Sequence, residues 1–120
     1  MKEVIKKRSN SFAHKCVKLA IDLPKSKLGN HIEGQLIRSG TSVAANYRAA
    51  CLGQSKRAFI SKLGIVIEEA DECIFWLEFL RDEGLAKAEN FPEVLQEAKE
   101  LTSIFIATRI TALKNLEKNK

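Results

Sequence analysis

Residues Ser55 to Leu80 read SKRAFISKLGIVIEEADECIFWLEFL, a proline-free stretch that carries two interleaved apolar stripes on a single helix. The first stripe is Phe59, Leu63, Val66, Ala70, Cys73, Leu77 and Leu80. Its steps alternate between four and three residues, the heptad spacing of a helix packed in a bundle. The second stripe, Ala58, Ile65, Glu69, Glu72, Trp76 and Phe79, keeps much the same rhythm. At about 100° per residue it is centred roughly 140° away from the first, too far round for one core to cover both. The inner stripe is therefore read as building the subunit. The outer one calls for a partner, which makes Ile65, Glu69, Glu72, Trp76 and Phe79 the candidate oligomer interface.

The flanking sequence repeats the helical rhythm three more times. Between Val4 and Leu23 the series Ile5, Ser9, Phe12, Cys16, Leu19 and Leu23 keeps heptad spacing until Pro24 stops the helix. After a polar loop, Lys25 to Gly29, a second helix runs from about Asn30 to Leu52 with the seam Ile32, Leu36, Ser39, Val43, Asn46 and Ala50. Gly53 is placed to end it, and Ser55 to accept backbone donors at the start of the next. The third helix runs to about Glu83, with Gly84 as terminator. Asn90-Phe91-Pro92-Glu93 then reads as a cap with proline in the first turn. It opens a fourth helix over about 91–117, with Val94, Ala98, Leu101, Phe105, Thr108 and Ala112 along its seam and a basic tail expected to fray from Lys114.

Four amphipathic helices over about 4–23, 30–52, 55–83 and 91–117, joined by short links, predict an all-α protein. The expected architecture is one antiparallel up-and-down four-helix bundle spanning residues 1–120. Two prolines and six glycines are too little punctuation for a strand-rich fold. The second helix is lined with small residues, and a glycine inside a helix costs about 1 kcal/mol relative to alanine. Gly34 and Gly40 therefore point to close approach of another backbone.

At 120 residues, with 45% hydrophobic and 29% charged residues, the chain is long enough to bury one core without disulfide or metal support. The basic N-terminal decapeptide lacks the apolar segment of a signal peptide, and no apolar run is long enough to span a bilayer. The expectation is a cytoplasmic protein without a membrane partner.

Residue chemistry offers no catalytic, metal or cofactor motif. Cys16, Cys51 and Cys73 are far apart, lack CxxC pairing, fall on or beside apolar stripes and read as core residues. The carboxylates Glu68, Glu69, Asp71 and Glu72 resemble a metal-binding set, but di-iron bundles add Glu-x-x-His, and neither His14 nor His31 follows a glutamate by three positions. A hairpin turning near residues 53–54 instead places residue i of helix two opposite roughly residue 107 minus i of helix three. Arg38 is thereby expected to pair with Glu69 or Glu72. Asn46, on the seam, is expected to make a register-fixing hydrogen bond across the bundle, since an unpartnered buried amide costs about 1–3 kcal/mol.

Charge is strongly segregated behind a net of +5. Residues 1–27 hold eight Lys or Arg against two acids, and residues 28–64 five against one. Residues 65–85 reverse this, with one base against seven acids. Lys6, Lys7, Arg8, Lys15 and Lys18 on helix one, with Arg48, Lys56, Arg57 and Lys62 near the second turn, are candidates to meet a polyanion such as nucleic acid. The alternative is a structural adaptor whose oligomer docks another protein through the small-residue face of helix two.

The segments Ile37-Arg38-Ser39-Gly40-Thr41-Ser42-Val43-Ala44-Ala45-Asn46-Tyr47-Arg48-Ala49-Ala50, Phe59-Ile60-Ser61-Lys62-Leu63, Glu68-Glu69-Ala70-Asp71-Glu72 and Phe75-Trp76-Leu77-Glu78 together closely resemble the bacterial 23S rRNA intervening-sequence protein family. The likeness covers nearly the whole chain. Many members carry Glu-Gly after an Asn-Ile pair in helix two, where this chain has Ala49 and Ala50 after Asn46-Tyr47-Arg48. The resemblance implies a homopentamer of up-and-down bundles, without enzymatic activity or cofactor. Similar-looking relatives that serve diversity-generating retroelements imply RNA or DNA, and a reverse transcriptase, as possible partners.

Overall fold

The computed structural model describes residues 1–118, all of whose regular structure is helical. Helices α1 (Lys2–Ile21), α2 (Lys27–Cys51), α3 (Lys56–Asp82) and α4 (Phe91–Lys118) form a rod of 53 × 21 × 20 Å. Each helix packs on its neighbour in sequence, and α4 also returns to α1 along a smaller contact. The four thus enclose one core.

The heptad seams largely become that core. Ile5, Phe12, Cys16 and Leu19 meet Ile32, Leu36 and Val43, Leu63, Val66, Cys73 and Leu77, and Val94, Leu101 and Phe105, all buried. Burial of each large apolar side chain contributes about 1.5–3 kcal/mol. The α2 seam departs from expectation in its last turns, because Tyr47 and not Asn46 is buried there. The two side chains lie on adjacent flanks of the stripe, and turning the tyrosine ring inward buries far more apolar area. Its centroid lies 5.4 Å from that of Phe105. Burial also pushes the Tyr47 hydroxyl pKa upward.

Asn46 is consequently half-buried, and its amide donates to the Ser42 carbonyl at 2.9 Å and the Ser42 hydroxyl at 2.8 Å, both one turn back on α2. The bond across the bundle is absent because the amide finds its partners locally. Ser39 occupies the centre instead. Its hydroxyl donates to the Gln35 carbonyl at 2.9 Å, and the Cys73 thiol donates to it at 3.4 Å. Beside them Cys16 is fully buried, its thiol pKa pushed up by hydrogen bonding with Cys73 and by desolvation.

The turns correct the sequence reading in three places. Helix α2 begins at Lys27, three residues earlier than the expected Asn30, because Ser26 caps it by accepting the Gly29 N–H at 3.0 Å. Gly29 is helical and buried, and a Cβ there would collide with the Pro24 carbonyl oxygen. At the second turn Gly53 follows α2, yet the residue in the left-handed region is Gly84, at φ 73°. Leu85 N–H reaches the Leu80 carbonyl at 2.8 Å and Gly84 N–H the Arg81 carbonyl at 3.1 Å, the paired bonds of a Schellman motif that ends α3. Ser55 caps α3 as expected, accepting the Ala58 N–H at 3.0 Å, and the Asn90 carbonyl accepts from Val94 at the start of α4. Helix α4 continues without fraying through Lys118; the rest of the tail, 119–120, lies outside the described residues.

The two helix-two glycines differ. A Cβ on Gly40 would sit 2.8 Å from the Cys16 Cβ, whereas one on Gly34 would have nothing within 4 Å. Close approach of α1 explains Gly40 alone. Gly34 is an exposed weak spot.

Candidate nucleic-acid interface

Three sets of contacts bring the basic segments to one end of the rod. The Lys2 ammonium lies 4.6 Å from the centroid of Phe59 in the first turn of α3. Arg109, late in α4, donates to the Ile60 carbonyl at 3.3 Å. Lys6 and Lys7, early in α1, line a groove with Arg48, in the last turn of α2. At the other end Asp22 and Leu23 lie with Leu85, Lys87 and Phe91, beside the acidic 82–93 turn.

The groove between α1 and α2 encloses about 820 Å³. Lys6, Lys7, Asn10, His14, Thr41 and Arg48 supply its polar lining, and Ala13, Val17, Ala44 and Ala45 its apolar floor. These residues follow from helical spacing: 7, 10, 14 and 17 lie along one face of α1, and 41, 45 and 48 along one face of α2. Asn10, His14 and Thr41 are neither Lys nor Arg, so a count of basic residues does not point to them; applying that spacing to polar residues would have found them. Lys6 pairs with Glu3 at 2.8 Å, while Lys7 and Arg48 make no ion pair among the described residues.

The remaining basic candidates divide. Arg8 is not free. Its guanidinium forks onto Glu97, with Nε at 3.0 Å and Nη2 at 2.5 Å, and also reaches Glu100 at 3.4 Å. Bonding to Glu97 raises its pKa further, so Arg8 ties α1 to α4. Lys15 and Lys18 are exposed on α1 outside the groove lining; Lys56 and Arg57 are exposed at the start of α3, with Lys62 half-buried.

The outer stripe of α3 also divides. Arg38 Nη1 lies 2.9 Å from Glu69 Oε2 and Nη2 bonds Glu72, the pairing expected from the hairpin register. Hydrogen bonding to Glu72 raises the Arg38 pKa. Partial burial works to raise Glu72, but the donated bonds from Arg38 and the Trp76 indole outweigh it and hold that carboxyl below its ordinary value. Trp76 donates to Glu72 at 3.1 Å and meets His31 edge-on at 5.5 Å. Glu69, Glu72 and Trp76 thus lean on α2 within the subunit. Phe79 is half-buried, and Ile65 is 40% exposed. Phe75, absent from the sequence-based set, is the most exposed aromatic of the group at 53%, packed on Trp76 and Phe79. Periodicity does not mark it because it lies on neither stripe, on the side of the helix nearly opposite the inner one.

Among the described residues no three His, Cys, Asp or Glu side chains gather so as to hold a metal ion. Nor is any helix among them long and apolar enough to cross a membrane.

A family model described as 23S rRNA-intervening sequence protein matches residues 1–107. No curated protein matches. Four solved chains do. One is a crystal structure of a protein with unknown function from the S23 ribosomal protein family, from Bacteroides thetaiotaomicron VPI-5482. It is 34% identical, covers 91% of this chain and 98% of its own, and superposes with a TM-score of 0.81.

Proposed function

We propose that this chain, which belongs to the 23S rRNA-intervening sequence protein family, is a non-enzymatic cytoplasmic helical bundle that binds RNA or another nucleic acid through its basic end. The observation that carries the reading is the convergence of Lys6, Lys7 and Arg48, from two helices, on one groove where Lys7 and Arg48 lack carboxylate partners among the described residues. Lys56, Arg57 and Lys62 extend the same field from the start of α3. Such a surface attracts phosphate by Coulomb interaction and counterion release, which gives affinity without base selection. Fluorescence anisotropy with a labelled RNA tests it. Affinity should fall steeply between about 50 and 200 mM salt and weaken in Lys7→Gln/Arg48→Gln. Salt-independent binding, or none at low salt, refutes the proposal.

The bundle is read as antiparallel and up-and-down. Support comes from Glu78 lying 3.6 Å from Lys99 and Arg109 reaching Ile60, pairs whose numbers rise on α3 as they fall on α4, and from Arg38 meeting Glu69 and Glu72 as a hairpin turning near residues 53–54 requires. The same reading assigns the bundle to a homo-oligomer, a pentamer by family analogy, assembled through Ile65, Phe75 and Phe79. A reverse transcriptase or other protein is the partner class of the assembled ring. Phe75→Glu should lower the mass seen by light scattering; a monomeric wild type sinks the assembly.

A further inference from the structure

We infer that the α1/α2 groove is a slot for a single nucleotide strand, which holds an unstacked base on its apolar floor and the adjoining phosphates on its cationic rim. This deepens the nucleic-acid reading and rests on it. A groove serving phosphate attraction alone needs neither depth nor an apolar base. This one is a half-open hollow of about 820 Å³ between two helices, lined by buried Ala13 and half-buried Val17 and Ala44 as well as by Lys7 and Arg48. That volume lies within the roughly 300–1,000 Å³ of clefts that enclose small organic groups.

The depth has an identifiable origin. The floor is alanine where α1 and α2 run close, an approach made possible at Gly40, where an added Cβ would lie 2.8 Å from that of Cys16. Larger side chains at 44 or 45 would fill the slot and leave only a charged surface. Asn10 and Thr41 border the apolar floor, placing an amide and a hydroxyl where base edges can meet hydrogen-bonding groups of either polarity. The cations lie among lining residues toward the basic end.

A duplex cannot use such a site. Its bases are paired and stacked, with only their edges reachable in the grooves and no base face free, so it would touch the rim and leave the floor empty. A single strand can turn a base out and bury it while its phosphates stay on Lys7 and Arg48, the arrangement of sequence-tolerant single-strand binders.

The test compares three labelled probes of about 12 nucleotides, a length within single-strand site sizes: oligouridine RNA, an abasic strand with the same number of phosphates, and an RNA duplex. Wild-type protein should bind oligouridine about tenfold more tightly than the abasic strand, and more tightly than the duplex per phosphate. Ala44→Leu, an aliphatic change at the half-buried lining position with charge unchanged and helicity checked by circular dichroism, should erase that preference. It should leave abasic and duplex affinities unaltered. Equal binding of all three probes by wild type overturns the slot while leaving the phosphate-binding proposal standing; binding of none overturns both. If Ala44→Leu changes the mass seen by light scattering and leaves oligouridine binding intact, the groove seats another copy of the chain and the inference fails.

Discussion

The two glycines of α2 provide a sharp test of the packing, because the same substitution should have opposite consequences six residues apart. Gly34→Ala and Gly40→Ala each gain about 1 kcal/mol of helix propensity. At Gly34 the new methyl meets nothing within 4 Å, so that gain stands alone. At Gly40 it would lie 2.8 Å from Cys16 Cβ and 3.2 Å from Sγ, against the roughly 3.5–4.0 Å at which carbon atoms pack. Cys16 Cβ is fixed to the α1 backbone and the residue is fully buried, so the clash is relieved only by moving one helix away from the other.

Such overpacking costs about 1–3 kcal/mol. The propensity gain is common to both variants, so their difference isolates the packing cost. At about 4 °C per kcal/mol for a chain of this size, Gly34→Ala should melt about 4 °C above wild type, and Gly40→Ala between the wild-type value and roughly 8 °C below it. Thermal and urea unfolding followed by far-ultraviolet circular dichroism read this directly, at one protein concentration because self-association would add apparent stability. Cys16→Ala in the Gly40→Ala background removes the Sγ contact but not the Cβ contact, so it should recover the loss only in part. A Gly40→Ala protein as stable as Gly34→Ala would refute the close approach of α1.

Three further outcomes follow from the geometry. Glu72 is held below its ordinary value of 4.5, so its pairing with Arg38 stabilises the fold above that range and is lost as pH falls through the folded value. The advantage of wild type over Arg38→Gln, a fraction of 1 kcal/mol up to about 1 for so exposed a pair, should be present in urea unfolding at pH 7 and shrink as pH is taken below Glu72's ordinary value of 4.5. Gly84→Ala should destabilise by about 1–2 kcal/mol in the same assay, because a Cβ at φ 73° is strained with space around it or not. A thiol reagent should label Cys51 alone in the native protein and all three cysteines after denaturation, since Cys16 and Cys73 are fully buried.

Periodicity made the four helices legible, and within them the inner stripe of α3, from Leu63 to Leu80, is buried as its spacing implies. Spacing fails where two adjacent residues compete for one seam position. Asn46 satisfies the heptad count, but Tyr47 offers more area to bury, and that comparison depends on Phe105, distant in sequence. Charge was legible only as a sum over segments. Whether a given arginine is free depends on the helix packed against it, and Arg8 is bound by Glu97, 89 residues away. The groove was legible in its parts, the basic face of α1 and the small residues of α2, but that these two faces border one hollow depends on the packing of α1 against α2, which is close at Gly40.

The division of the outer α3 stripe changes what an assembly surface requires. The stripe of Ile65, Glu69, Glu72, Trp76 and Phe79 mixes carboxylates with apolar groups, and sequence alone makes it one candidate face. In the fold Arg38 draws Glu69 and Glu72 toward α2, and Trp76 follows by donating to Glu72 and packing on His31. The ion pair therefore satisfies its charge within the subunit and leaves Ile65 and Phe75 standing outside it. A surface built this way can be covered without stripping water from unpaired carboxylates at 69 and 72, which removes the largest obstacle to burying an acidic helix. Glu68 and Asp71 are still exposed and unpaired among the described residues. They give the face a negative rim, so charge works against two copies meeting through this face on itself.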